Sequence, residues 1–223
     1  MGLIKFIRDL WEITHLNTDK KVNIPYGLSD INDEYRKKEF STDKIRILMI
    51  TDFSEFLDNY TLIFAVNECN KEGMNVQLDI YGQGRDIKKI KNCIKNQSCE
   101  NIQYKGGFQD FTQIYKNYDL FITSSYSCDI QMNTIEAMRA GLPILLMDIK
   151  GNGDSEFIKG NGYLMPENAI MFYRKTLKSF YDNKSQLITM GQNSRKLYEE
   201  RYTAKQMVDK TLAIYNDVLK EES

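Results

Sequence analysis

From Ile45 onward two kinds of apolar pattern alternate along the chain. Short apolar runs fall at Ile45-Arg46-Ile47-Leu48-Met49-Ile50, Val76-Gln77-Leu78-Asp79-Ile80-Tyr81, Ile102-Gln103-Tyr104, Asp119-Leu120-Phe121-Ile122-Thr123 and Pro143-Ile144-Leu145-Leu146-Met147. Between them lie segments with helical spacing at about 58–72, 85–97, 110–117 and 132–140. Strand and helix in strict alternation predict an α/β domain, a single Rossmann-like doubly wound parallel sheet. After Leu164 the period is helical through Ala169–Asn183, Ser185–Tyr202 and Ala204–Leu219, which predicts a carboxyl-terminal helical layer.

Ahead of Ile45 the pattern differs. Residues up to about 22 read as an amphipathic helix with Ile4, Ile7, Leu10, Trp11 and Leu16 on one face, a face that needs a cover. Charges interrupt this stretch, so it is neither a signal peptide nor a spanning helix, and the expected location is cytoplasmic. Val22 to Asp30 reads as a short strand running into a turn, followed by a polar linker to Lys44. The expected organisation is therefore a helix and linker at 1–44, the Rossmann-like domain at 45–203 and a terminal helix at 204–223, within what 223 residues can build.

Composition narrows the chemistry mainly by exclusion. Thirty Lys and Arg against 31 Asp and Glu leave a net charge of −1, which argues against a nucleic-acid partner. The basic runs Arg36-Lys37-Lys38 and Lys88-Lys89 read as solvated faces, with peripheral contact at the inner membrane face as the alternative. Cys69, Cys93, Cys99 and Cys128 form no C-x-x-C pair and His15 is the single histidine, so most zinc patterns and every Ser-His-Asp or Cys-His arrangement fall away. The cysteines are expected as free thiols.

The densest chemistry lies between Thr134 and Leu164. It reads as a helix carrying one inward carboxylate, Glu136, a Gly141-Leu142-Pro143 turn that stops it, a buried strand, and the loop Lys150-Gly151-Asn152-Gly153-Asp154-Ser155-Glu156 at that strand's carboxyl end. Open α/β sheets bind ligands at such ends. Backbone N–H groups where the helix starts, around Met132 and Asn133, suit a diphosphate, because helix N-termini bind anions whatever their side chains. Gly82 and Gly84 form a weaker motif. Ile87 stands where a dinucleotide fingerprint needs its third glycine, and the motif does not fall on the first βα turn, so nicotinamide and flavin binding are rejected.

In order and spacing, from about residue 22 to 203, these segments resemble the nucleotide-sugar half of group 1 retaining glycosyltransferases, enzymes built from two Rossmann-like domains (GT-B). Ile24-Pro25-Tyr26-Gly27-Leu28 is similar to that family's hinge, Tyr81-Gly82-Gln83-Gly84 to its G-x-G turn, and Gly106-Gly107-Phe108 to its G-F turn. Ile114 to Ser125 is similar to its L-Y-x-x-A-D-[VL]-F-[VL]-x-P-S segment, and the loop at Gly151 to its G-N-x-[DE] variant. The resemblance implies a nucleotide-sugar substrate, a UDP-sugar, with neither metal nor cofactor. It also implies that Glu136 accepts hydrogen bonds from ribose hydroxyls, a task suited to a group that offers acceptors only.

Two departures from the family qualify the site. The family's first glutamate, eight positions before Glu136, is Cys128 here, and its E-G-F-G loop reads Cys128-Asp129-Ile130-Gln131, leaving Asp129 to reach in from one position later. The family's phosphate-clamping arginine and lysine are replaced by Asp52 and Leu57, with no basic residue from Thr51 to Asn70. Lys150 is the preferred substitute cation, with Arg85 and Arg139 as alternatives. Two readings stay open: a donor-domain transferase of hexosyl type in polysaccharide assembly, whose acceptor domain comes from a protein partner or a homo-oligomer, and a non-catalytic scaffold related to such enzymes.

Overall fold

The structure is a computed structural model that describes residues 22, 24–51, 57–97, 99–107, 112–123, 129–147, 157–166 and 169–221, with backbone alone at 57–59, 129–131, 147 and 221. The amphipathic segment predicted at the amino terminus, with His15, lies outside these residues.

Six strands form one parallel sheet: β1 (Ile45–Ile50), β2 (Val76–Tyr81), β3 (Ile102–Gly106), β4 (Leu120–Thr123), β5 (Ile144–Met147) and β6 (Gly162–Met165), in the order β3-β2-β1-β4-β5-β6. Register is set by apolar side chains on both faces, with Ile47 opposite Leu78 on one side and Leu120 on the other. The helices are α1 (Leu57–Lys71), α2 (Ile87–Gln97), α3 (Asp129–Ala140), α4 (Ile170–Asp182), α5 (Ser185–Arg201) and α6 (Ala204–Glu221). Leu62, Ile63 and Val66 of α1, Ile90 of α2, and Leu177 and Phe180 of α4 bury one face with Ile47, Met49, Leu78 and Ile80. Ile135 and Met138 of α3 and Leu197 and Tyr198 of α5 bury the other with Leu48, Phe121, Ile144 and Leu146. The chain runs outward from β1 to β3 and then returns beside β1 as β4. The carboxyl ends of β1 and β4 therefore flank the reversal of strand order, where such sheets open a crevice.

Three local expectations are corrected. The glycine-rich stretch after residue 160 contains a sixth strand, β6, masked in the sequence by its own glycines. Gly162 is needed there for approach, because a Cβ at that position would lie 1.7 Å from the Ile144 carbonyl oxygen. Gly162→Ala is expected to push β6 off β5 and to cost about 1–3 kcal/mol, the usual penalty of overpacking, read from urea unfolding. The helix predicted at 110–117 is, in its described part, a turn followed by one 3-10 turn at Tyr115–Asn117, because the chain must extend at once into β4. The strand predicted near Val22 reduces to a single parallel bridge, Leu28 with Thr203. The Gly141 stop is observed as expected, with φ of 83° at the residue that ends α3.

The predicted linker is held against the domain. Leu28 N–H donates to Tyr202 O, and Leu28 O accepts from Ala204 N–H and the Tyr198 hydroxyl (2.9, 2.8 and 2.9 Å). Arg195 grips Asp30 at 2.6 Å and the Arg139 carbonyl at 2.8 Å, and holds the Asp30 carboxyl down at about 2. On α6, by contrast, Val208, Leu212, Tyr215, Val218 and Leu219 are each 47% exposed or more, an apolar surface. Cys69, Cys93 and Cys99 are free thiols, and burial pushes Cys69 up to about 11; Cys128 lies outside the described residues. No described helix is long and apolar enough to cross a membrane.

Candidate functional site

Helix α3 starts at Asp129, a few residues beyond the carboxyl end of β4, and its buried face carries Ile135 and Met138 into the core. Glu136 lies on the helix flank and is half-buried, directed at the 3-10 turn rather than away from the protein. Its Oε2 accepts a hydrogen bond from the Tyr115 hydroxyl at 2.9 Å, and the same hydroxyl stands 3.3 Å from the Asn133 carbonyl oxygen. Tyr115 is buried, its ring tilted on Phe121 of β4 with centroids 6.0 Å apart. Two elements separated in the chain thus fix one carboxylate.

The remaining predicted site residues are placed as follows. Because α3 begins at Asp129, its first-turn N–H groups, those free of helical partners, belong to Asp129, Ile130 and Gln131, while Met132 and Asn133 stand one step further in and half-buried. That first turn, with the positive end of the helix dipole, suits an anion. Gly82 sits at the carboxyl end of β2, but its backbone is engaged by β3: its N–H donates to Gly106 O at 3.0 Å and its carbonyl accepts the Tyr104 hydroxyl at 2.9 Å. Gly84 is exposed at the turn into α2, beside the exposed Arg85. Lys150, Gly151, Cys128 and Asp52 lie outside the described residues, as does the side chain of Leu57. Of the candidate cations, Arg139 is buried and occupied elsewhere, donating to Ser29 O at 2.8 Å and to Thr112 Oγ1 at 3.4 Å, so it ties hinge to loop.

The sequence pattern passes over Tyr115 and Tyr118, although both stand in the Ile114–Ser125 segment. Tyr118 donates to Asp79 Oδ2 at 2.8 Å, with the Tyr81 hydroxyl 3.5 Å away and Lys105 Nζ 3.6 Å from Asp79 Oδ1. Burial pushes the Tyr118 hydroxyl far above its ordinary value, reinforced by Tyr81 and Asp79, so it remains a proton donor. A tyrosine pair bracketing one 3-10 turn was the available signal, but apolar patterning counts an aromatic ring as core and leaves its hydroxyl unassigned.

The profile of the family described as glycosyl transferases group 1 matches residues 30–197. The GtfA subunit of UDP-N-acetylglucosamine–peptide N-acetylglucosaminyltransferase from Streptococcus pneumoniae is 33% identical over 110 residues, 48% of this chain and 22% of that protein. The same subunit from Streptococcus gordonii is 26% identical over 163 residues, 72% of this chain and 32% of that protein. Among solved structures, the pneumococcal O-GlcNAc transferase GtfA in complex with UDP and GlcNAc superposes with a TM-score of 0.70 at 24% identity, over 87% of this chain and 38% of that one. Staphylococcus aureus TarM superposes at 0.74 and 22% identity, over 93% and 42%. The GtfA/B complex gives 0.72 and 24%, over 96% and 43%. The chain spans less than half the length of each of these proteins, and the structural likenesses speak for the fold.

Proposed function

The chain belongs to the group 1 glycosyl transferases, and from that membership we propose that it is the nucleotide-sugar-binding part of a retaining transferase, moving a hexose from a UDP-sugar to a glycan acceptor with the acceptor domain supplied by another polypeptide. The observation that carries this reading is the Glu136 carboxylate, half-buried and held by Tyr115 on α3, the helix that follows β4, one of the two strands flanking the reversal of strand order. In the proposed complex Glu136 accepts from the ribose hydroxyls, and the first-turn N–H groups at Asp129 and Gln131 receive the diphosphate. Lys150 and Gly151, by their place in the sequence, are the proposed partners of the phosphates, and Gly84, with Gly82 behind it, borders the site from β2. No metal is invoked, since fixed donors and a helix dipole can offset charge on a departing diphosphate.

Support for a partner comes from the relatives: GtfA is one subunit of its transferase and has been solved as a GtfA/B complex. The exposed apolar surface of α6 fits such an arrangement, and so does a location on the cytoplasmic side of polysaccharide assembly, with or without contact at the membrane face. A second reading, a non-catalytic scaffold, is favoured by Cys128, Asp52 and Leu57 at positions where the family carries working side chains. Calorimetric titration with UDP, GDP and their sugars separates the two. The transferase reading expects saturable heat with a uridine nucleotide at micromolar to millimolar concentration; absence of heat with every nucleotide assigns the chain to the scaffold reading.

A further inference from the structure

We propose that residues 4–16 of the chain itself cover the apolar face of α6, lying along it antiparallel as a second helix. The inference goes beyond the nucleotide reading and does not depend on it; a partner polypeptide would meet α6 with this segment already in place.

Three observations carry it. The first is the face itself. Val208, Leu212, Tyr215 and Val218 follow one another at intervals of 4, 3 and 3 and are each 47% exposed or more, while Asp209, Lys210, Asp217 and Lys220 fall on the other side of the helix. From Tyr215 to Lys220 every side chain is exposed. A helix in a protein owes most of its stability to the packing of its apolar face, and on α6 that face stands open.

The second is where the chain arrives. Gly27 lies on the start of α6: its N–H donates to Met207 Sδ at 3.3 Å, and a Cβ at Gly27 would lie 2.8 Å from Met207 Cβ. Tyr26 and Val22 are 52% and 63% exposed, so the chain before Gly27 leaves the base of α6 over the surface rather than through the core.

The third is pattern and reach. Ile4, Ile7 and Trp11 recur at intervals of 3 and 4, the spacing that lets one helix face meet another. As a helix, residues 4–16 extend about 20 Å, against about 27 Å for α6. The connection from Asn17 to Tyr26 reaches up to about 35 Å when extended, ample for the segment to turn back on α6. Leaving from the base, it runs opposite to α6, which sets Trp11 beside Leu212, Ile7 beside Tyr215 and Ile4 beside Val218. Tethering favours this occupant over a second copy, because a segment on a short linker is present at about millimolar effective concentration.

Trp11 is the single tryptophan of the chain, so its fluorescence reads the segment directly. In the full chain the proposal expects Trp11 to be shielded from acrylamide, equally at every protein concentration. In Leu212→Glu/Tyr215→Glu its emission shifts to that of the urea-unfolded chain and the shielding is lost, while the domain keeps its cooperative urea transition; Asp209→Asn, on the other side of α6, leaves Trp11 shielded. Should the double variant fail to fold, Ile7→Glu decides by hydrogen exchange: faster exchange across 208–218 with β1 and β4 unchanged supports the proposal, and unchanged exchange in α6 overturns it. Four further results overturn it: Trp11 as accessible in the parent as in urea, shielding untouched by Leu212→Glu/Tyr215→Glu, shielding that fades on dilution and so assigns the face to a second copy, or shielding that needs phosphatidylglycerol vesicles and so assigns the segment to a membrane.

Discussion

On the proposed reading, Glu136→Ala is expected to weaken UDP binding by about 10- to 100-fold and to leave the fold intact. The magnitude follows from losing hydrogen bonds to a charged acceptor, worth about 1.5–3 kcal/mol. The fold survives because Glu136 is half-buried on the flank of α3, alanine is the better helix former, and the Tyr115 hydroxyl keeps a second acceptor in the Asn133 carbonyl 3.3 Å away. A melting temperature within about 2–4 °C of the parent, corresponding to about 1 kcal/mol, separates this outcome from general destabilisation. Calorimetry with UDP reads the affinity. A dissociation constant unchanged within twofold would remove Glu136 from the site, and with it the reason to read this crevice as a nucleotide site.

Asp119→Ala is expected to cost about 3–5 kcal/mol of stability, more than Gly162→Ala or Glu136→Ala. Asp119 is fully buried at the start of β4 and serves three elements at once. Its Oδ2 accepts the Arg46 backbone N–H at 2.9 Å and Arg46 Nε at 2.8 Å, while Oδ1 accepts Arg46 Nη2 at 2.9 Å, the Ser41 N–H at 3.1 Å and Lys37 Nζ at 2.9 Å. The Lys37 side chain is 1% exposed, so deleting the carboxylate leaves a buried ammonium with its long bond to the Lys116 carbonyl at 3.3 Å but no counter-charge at that site, and strands two backbone donors. Burial by itself would raise the Asp119 carboxyl, but Arg46 and Lys37 outweigh it and hold the group below its ordinary value. A depressed carboxyl stabilises the fold at pH above its unfolded value of about 4, and the contribution is lost as pH falls through the folded value. Urea unfolding of the parent should therefore show stability declining below about pH 4, and Asp119→Ala should flatten that decline. A loss under about 1 kcal/mol at pH 7 would mean that Lys37 and Arg46 find water instead.

The sheet could be read from the chain because a parallel strand buried on both faces has little choice but a near-continuous apolar run. Ile45–Ile50 and Leu120–Thr123 have that pattern, and each appears as a strand within a residue of its predicted place. The same holds for the stop of α3, where Gly141 supplies a positive φ, and for the helical spacing of α4, α5 and α6. Glu136 was singled out through its resemblance to a family motif, and the structure adds that it is half-buried and held by Tyr115. β6 escaped notice because a strand of four residues opening on Gly162 has too few apolar positions for a period, and only the Ile144 carbonyl beside it explains the glycine.

Local pattern records how often a side chain turns toward a core, and by itself it determined five strands of the parallel sheet and the helices on its faces. Tertiary structure alone decided that the Tyr115 hydroxyl meets Glu136, that Asp119 gathers Lys37 and Arg46 from 82 and 73 positions away, and that the Leu28 hinge lies on the start of α6. The physical reason is directional: burial is a property each residue carries along the chain, whereas a hydrogen bond between distant residues exists only once stacked layers bring donor and acceptor within about 3 Å.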